Sequence, residues 1–129
     1  MVDSIDPGKW FGRSLQDLRT IANNLKDDPE FLAPVNCYLA QQAVEKLLKT
    51  YLLAKKGELL KTHDLMFLLK KCTEIHEEFI NLQSTVEILN AYAIEARYPG
   101  DFFDNISAAQ AQEAYEAALS IKEFVNQLL

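Results

Sequence analysis

The sequence predicts an all-α protein, a five-helix up-and-down bundle, and three observations carry that prediction. Apolar residues recur at helical spacing over long segments, with no alternating strand pattern among them. Only four Gly and four Pro occur in 129 residues, and apart from Gly8 and Gly12 they fall at the ends of those segments or between them, marking short turns. Each segment has one apolar stripe and one polar face, which antiparallel neighbours in a bundle bury together.

The first segment runs from Pro7 to Asp27, with Asp6 as N-cap and Pro7 where a missing N–H costs nothing. Its expected stripe is Phe11, Leu15, Leu18, Ala22 and Leu25. Pro29 and Pro34 interrupt it. The second segment, Pro34 to Lys56, carries Cys37, Ala40, Val44, Leu47, Leu48 and Tyr51 in one stripe, and Gly57 is its stop signal. The third follows His63-Asp64, with Leu65, Leu68, Leu69, Cys72, Ile75 and Phe79 on one face. The fourth is expected over Ser84 to Ala96, opened by a Ser84/Glu87 capping box, with Val86, Leu89 and Ala93 inward. Tyr98-Pro99-Gly100-Asp101 breaks the pattern. The last helix starts after Ser107 and turns Ala111, Ala114, Tyr115, Ala118, Ile121, Val125 and Leu128 inward, its alanines permitting close helix packing.

A chain of this length makes one domain, residues 1–129, and buries enough surface to fold without a metal or disulfide. The net charge of −6 repels phosphate backbones on average, which argues against broad DNA or other non-specific nucleic-acid binding. A local cationic cleft is compatible with it. Cys37 and Cys72 read as buried, reduced core residues, because they show no metal-type spacing. The N-terminal MVDSIDPGKWFG lacks the basic and apolar regions of a signal peptide. No run reaches the ~18 apolar residues of a membrane span. A cytoplasmic protein with no membrane association is expected.

Several chemistries are removed by inspection. There is no glycine-rich phosphate loop, HExxH, CxxC or GxSxG. The Glu-x-x-His repeats of diiron bundles are missing too. No metal or other cofactor is expected. What stands out is the polar cluster on the second helix: Asn36, Gln41, Gln42, Glu45 and Lys46. One reading is a solvated face with a Glu45–Lys49 pair one turn apart. The other places Gln41 and Glu45, four apart on one face, along a polar cleft. His63 reads as a neutral cap or packing residue at a helix start, and His76, among Glu74, Glu77 and Glu78, as a surface residue.

Three strings, AQQAVEKLLKTYLLAKKG, THDLMFLLKKC and EARYPGDF, taken in this order and spacing, resemble the HEPN domains. The resemblance spans nearly the whole chain from SLQDLRTIA onward. It is strongest to the short stand-alone prokaryotic versions often encoded beside a minimal nucleotidyltransferase. It implies a homodimer with a polar cleft near the seam, a nucleotide or RNA ligand, and a toxin–antitoxin-like pairing with that nucleotidyltransferase.

In ribonuclease members the resemblance points to an Arg-x4-6-His motif that cleaves RNA without a metal. Arg97 matches the Arg, but Phe102, Phe103 and Asp104 occupy the positions open to the His. The tyrosine that some members carry two residues beyond the His is replaced, at the shortest spacing, by Asp104. Both departures argue against ribonuclease activity and modification at that site. Asp101 or Asp104 would accept a proton near neutrality only if burial raised its pKa by several units. The expected binding residues are Arg97 on a phosphate, Tyr98 stacking on a base, and Gln41 and Glu45 shaping the cleft. Arg97 also has a structural reading: a cation at a helix end, paired with Glu95 or Glu45. Two alternatives stand beside the binding reading. One is a divergent metal-independent ribonuclease. The other is a helical scaffold using an apolar patch around Trp10, Phe102 and Phe103.

Overall fold

Asp6 opens the first helix, α1 (Pro7–Asp27), by accepting the Gly8 N–H at 2.9 Å, with proline in its first turn. The computed structural model describes residues 2–92, 99–100 and 105–129. The buried line of α1 runs through Ser14, Leu18 and Ile21, with Phe11 and Leu25 packed against the core. The expected stripe holds at Phe11, Leu18 and Leu25, but Ser14 and Ile21 take the inward places expected of Leu15, which is 40% exposed, and Ala22. Ser14 tolerates the buried place because its hydroxyl donates to the Phe11 carbonyl at 2.6 Å.

Helix α2 (Ala33–Lys56) starts one residue before the expected Pro34 and ends on Gly57. Gly57 adopts φ 64°, a left-handed conformation that disfavours other residues, and its N–H bonds the Leu53 carbonyl at 2.9 Å. All six expected stripe residues of α2 are buried, Cys37 among them; Cys37 and Cys72 are both free thiols in the core. Helices α1 and α2 are antiparallel. Asn24 donates to Asn36 Oδ1 at 2.9 Å near one end, and Lys46 pairs with Asp17 at 2.5 Å further along.

Helix α3 (Leu65–Ile75) is capped by Asp64, whose carboxylate accepts from Met66 and Phe67 at 3.0 and 3.4 Å. The cap expected of His63 thus falls to its neighbour. The helix also stops before Phe79, at His76, which is extended (φ −139°) and accepts from the Glu78 N–H at 3.4 Å. A 3-10 helix follows over Glu77–Leu82, with Glu77 and Glu78 at its positive end. Phe79 is buried as expected but from this different element, its ring 4.7 Å from Tyr51 and 4.9 Å from Phe124. His76 is half-buried, its ring edge-on to Phe79 and Phe124 at 6.3 Å, and not the surface residue the flanking glutamates suggest.

Helix α4 (Gln83–Asn90) has no side-chain cap. The Ser84/Glu87 box does not form, because the 3-10 helix runs straight into α4 and its carbonyls serve the first N–H groups. Residues 93–96 of the expected fourth helix lie outside the described residues. Asn90 accepts the Leu65 N–H at 2.9 Å, tying the end of α4 to the start of α3. Helix α5 (Ala108–Leu128) opens with a Ser107/Gln110 capping box and lays Ala111, Ala114, Ala118, Ile121 and Val125 into the core, against α2. The described residues form the expected all-α bundle of five α-helices with α2 at its centre, and none is in a strand.

Candidate functional site: a buried polar seam on the second helix

Because α2 is flanked by α1, α3 and α5, its middle keeps only a partly exposed strip at Gln42 and Lys46. Every residue from Ala43 to Leu53 except Lys46 is buried. Gln41, Glu45 and Lys49 fall at i, i+4 and i+8, so they make one polar line inside that packing. Gln41 has no exposed surface, and the Glu45 and Lys49 side chains are each 5% exposed. The Glu45–Lys49 pair forms, with Nζ 3.1 Å from Oε2, but the solvated face expected around it does not exist.

Two residues from elsewhere complete the line. The Lys49 ammonium sits 5.3 Å from the ring centre of Trp10, a cation–π arrangement. The Trp10 indole N–H donates to the Ser4 carbonyl at 2.7 Å, which fixes the ring. Trp10 is therefore half-buried beside the seam, while Phe102 and Phe103, expected to share an apolar patch with it, lie outside the described residues. From the other side the 57–64 loop brings His63 level with Glu45: Nδ1 is 3.2 Å from both carboxylate oxygens. A carboxylate only accepts, so Nδ1–H is the donor. The His63 side chain is 80% exposed, and the carboxylate that holds it is buried.

Gln41 accepts from Gln42 Nε2 at 2.7 Å, while its own amide Nε2 is buried with no partner among the described residues. Asn36 Nδ2 is in the same position. Leaving a buried donor unpaired costs roughly 1–3 kcal/mol. A buried ion pair is likewise poor support for stability, because desolvation offsets its attraction. A seam with both features is badly explained by folding alone.

Gln41 and Glu45 thus lie one turn apart on the same buried line of α2. Arg97 and Tyr98, with Asp101, Phe102, Phe103 and Asp104, lie outside the described residues. Lys49, Trp10 and His63 had not been assigned to the cleft. The uninterrupted buried run of α2 was a local signal for Lys49, whereas nothing local connects His63 to Glu45. Among the described residues no three His, Cys, Asp or Glu side chains are grouped to hold a metal ion, and no helix is long and apolar enough to cross a membrane.

The family model described as the HEPN domain matches residues 8–128. The fold is similar to the crystal structure of TT1696 from Thermus thermophilus, with a TM-score of 0.82, 26% identity, and coverage of 95% of this chain and 98% of that one. It is also similar to ST0689, an archaeal HEPN homologue, with a TM-score of 0.76, 19% identity, and coverage of 95% and 97%. No curated protein gives a significant match.

Proposed function

Since the chain belongs to the HEPN family, we propose that it is a nucleotide- or RNA-binding protein whose ligand engages the polar seam of α2. The observation that carries this reading is the Gln41 amide, buried one turn from the Glu45–Lys49 pair with no partner among the described residues. A nucleobase carbonyl or ring nitrogen is the kind of acceptor that would satisfy it. Glu45 shapes the same seam. Arg97 anchors the phosphate through the bidentate geometry of its guanidinium, and Tyr98 stacks on the base.

In this reading the protein is a cytoplasmic homodimer and the partner of a minimal nucleotidyltransferase in a toxin–antitoxin-like module. The motif histidine is missing after Arg97, so binding does not depend on that motif's catalysis.

Fluorescence anisotropy with a labelled single-stranded oligoribonucleotide, competed by ATP, tests the binding role. Arg97→Ala should abolish binding with the helical circular-dichroism spectrum unchanged; retained affinity would remove Arg97 from the site. Gln41→Leu should weaken binding while leaving stability equal or higher. A pull-down from host lysate with the wild-type chain as bait should recover a nucleotidyltransferase in stoichiometric amount. Its absence would dissolve the two-component reading.

A further inference from the structure

Among the described residues the most exposed aromatic side chain is Phe31, at 79%, in the turn between α1 and α2. The turn itself holds it outward. Pro29 and Pro34 bracket it. The Asp28 carboxylate accepts the Phe31 N–H at 3.1 Å, and the Asp28 carbonyl accepts the Leu32 N–H at 3.0 Å. A ring fixed before contact has little ordering entropy to lose on contact, which suits an interface anchor. Helix α2 extends the surface. Val35 is 45% exposed and Tyr38 is half-buried, four and seven residues beyond Phe31, the spacing of one helical face. That face runs on into the partly exposed strip at Gln42 and Lys46, where Lys46 is closed by Asp17. Its rim is acidic: Asp27, Asp28 and Glu30 are all exposed, and Lys26 is the only cation among residues 20–45.

We propose that this face is a docking surface for a basic amphipathic helix of a partner protein, anchored on Phe31 and seated on Val35 and Tyr38. Charge decides the kind of partner. Three exposed carboxylates repel a phosphate backbone or an anionic lipid surface. Lysines or arginines flanking an incoming apolar stripe pair with them instead. A second copy of the chain brings no such complement. An isologous contact sets a patch against itself, so Asp27, Asp28 and Glu30 would face their own counterparts. The surface uses neither Gln41 nor Arg97 and stands whether or not a nucleotide binds.

The probe is a fluorescein-labelled helical peptide of about 18 residues, leucines on one face and lysines elsewhere, followed by anisotropy at about 0.15 M salt. Its control carries the same leucines with glutamates in place of the lysines. Wild type should bind the lysine peptide saturably and leave the glutamate peptide free. Phe31→Ser should weaken binding by at least ~10-fold, and Asp27→Lys with Glu30→Lys should do the same. Glu77→Lys with Glu78→Lys changes the net charge equally beside Phe79 and Tyr51, far along α2 from Phe31, and should stay within about threefold of wild type. All five positions are exposed, so the variants should fold. Unchanged affinity in Phe31→Ser, or an equal loss in the two charge-reversed pairs, overturns the proposal, as does a wild type that binds neither peptide. A concentration-dependent dimer in sedimentation that Phe31→Ser abolishes would make a second copy the occupant and overturn it too. Loss of oligoribonucleotide binding in Phe31→Ser would overturn it in favour of RNA.

Discussion

Lys49 and Glu45 form an ion pair, Nζ to Oε2 at 3.1 Å, sealed between helices with 5% of each side chain exposed. A pair in this setting has a distinctive energetic signature. Removing one partner strands a buried charge, whereas removing both strands none.

Glu45→Ala and Lys49→Ala should therefore each destabilise the fold by about 3–5 kcal/mol. The double replacement Glu45→Leu with Lys49→Met should be neutral or more stable than wild type. Urea denaturation of the three variants measures this. If the double replacement lost as much as the two single ones together, the pair would be a net stabiliser. Ligand binding should be lost in the double variant despite its stability.

The phase of α1 can be checked in the same way. Leu18 is buried and Leu15 is 40% exposed, so Leu18→Ala should cost about 2–5 kcal/mol and Leu15→Ala distinctly less. Equal losses would restore the phase expected from the spacing of leucines alone.

Asn90→Ala removes the acceptor of the Leu65 N–H, a bond made across 25 residues at 2.9 Å. The loss should be about 1–3 kcal/mol, because that N–H is left without its partner. In hydrogen exchange, the amide of Leu65 should lose protection first. Protection unchanged at Leu65 would show that the contact does not persist in solution.

The two core thiols set a pH limit. Burial pushes Cys72 up from its ordinary 9.0 to about 12, and Cys37 to about 11 despite the opposing hydrogen bond with Tyr92. Both are held protonated in the fold and ionise more readily when unfolded. Their contribution is complete below about pH 9 and is lost as pH rises through about 11 and 12, at up to about 1.4 kcal/mol per pH unit for each thiol. A urea midpoint flat from neutrality to about pH 8.5 and falling above pH 9 is the expected curve. Serine at both positions should remove the part of that fall due to the thiols. The native thiols should also resist a disulfide reagent that labels both in urea.

The sequence by itself determined the helices whose ends are coded locally. Asp6-Pro7, Gly57 and the Ser107/Gln110 box each act within one turn through hydrogen bonds two to four residues long, so reading neighbours in the chain is enough. The α2 stripe was legible for the same reason, being a period within one element. The identity of the bundle as a HEPN domain was legible from the order of its strings. Packing decided the rest. Whether Ser14 or Leu15 turns inward depends on what α2 presents to α1, and the end of α3 at His76 depends on the place made for Phe79 between Tyr51 and Phe124. The Ser84 cap failed because the preceding turn was already helical. The polar seam is the sharpest case. Gln41, Glu45 and Lys49 read either as a solvated face or, for the first two, as the lining of a polar cleft until α1, α3 and α5 close around α2, and His63 reaches Glu45 across 18 residues of chain. Periodicity tells which residues share a face; only the neighbouring elements decide whether that face meets water or another helix.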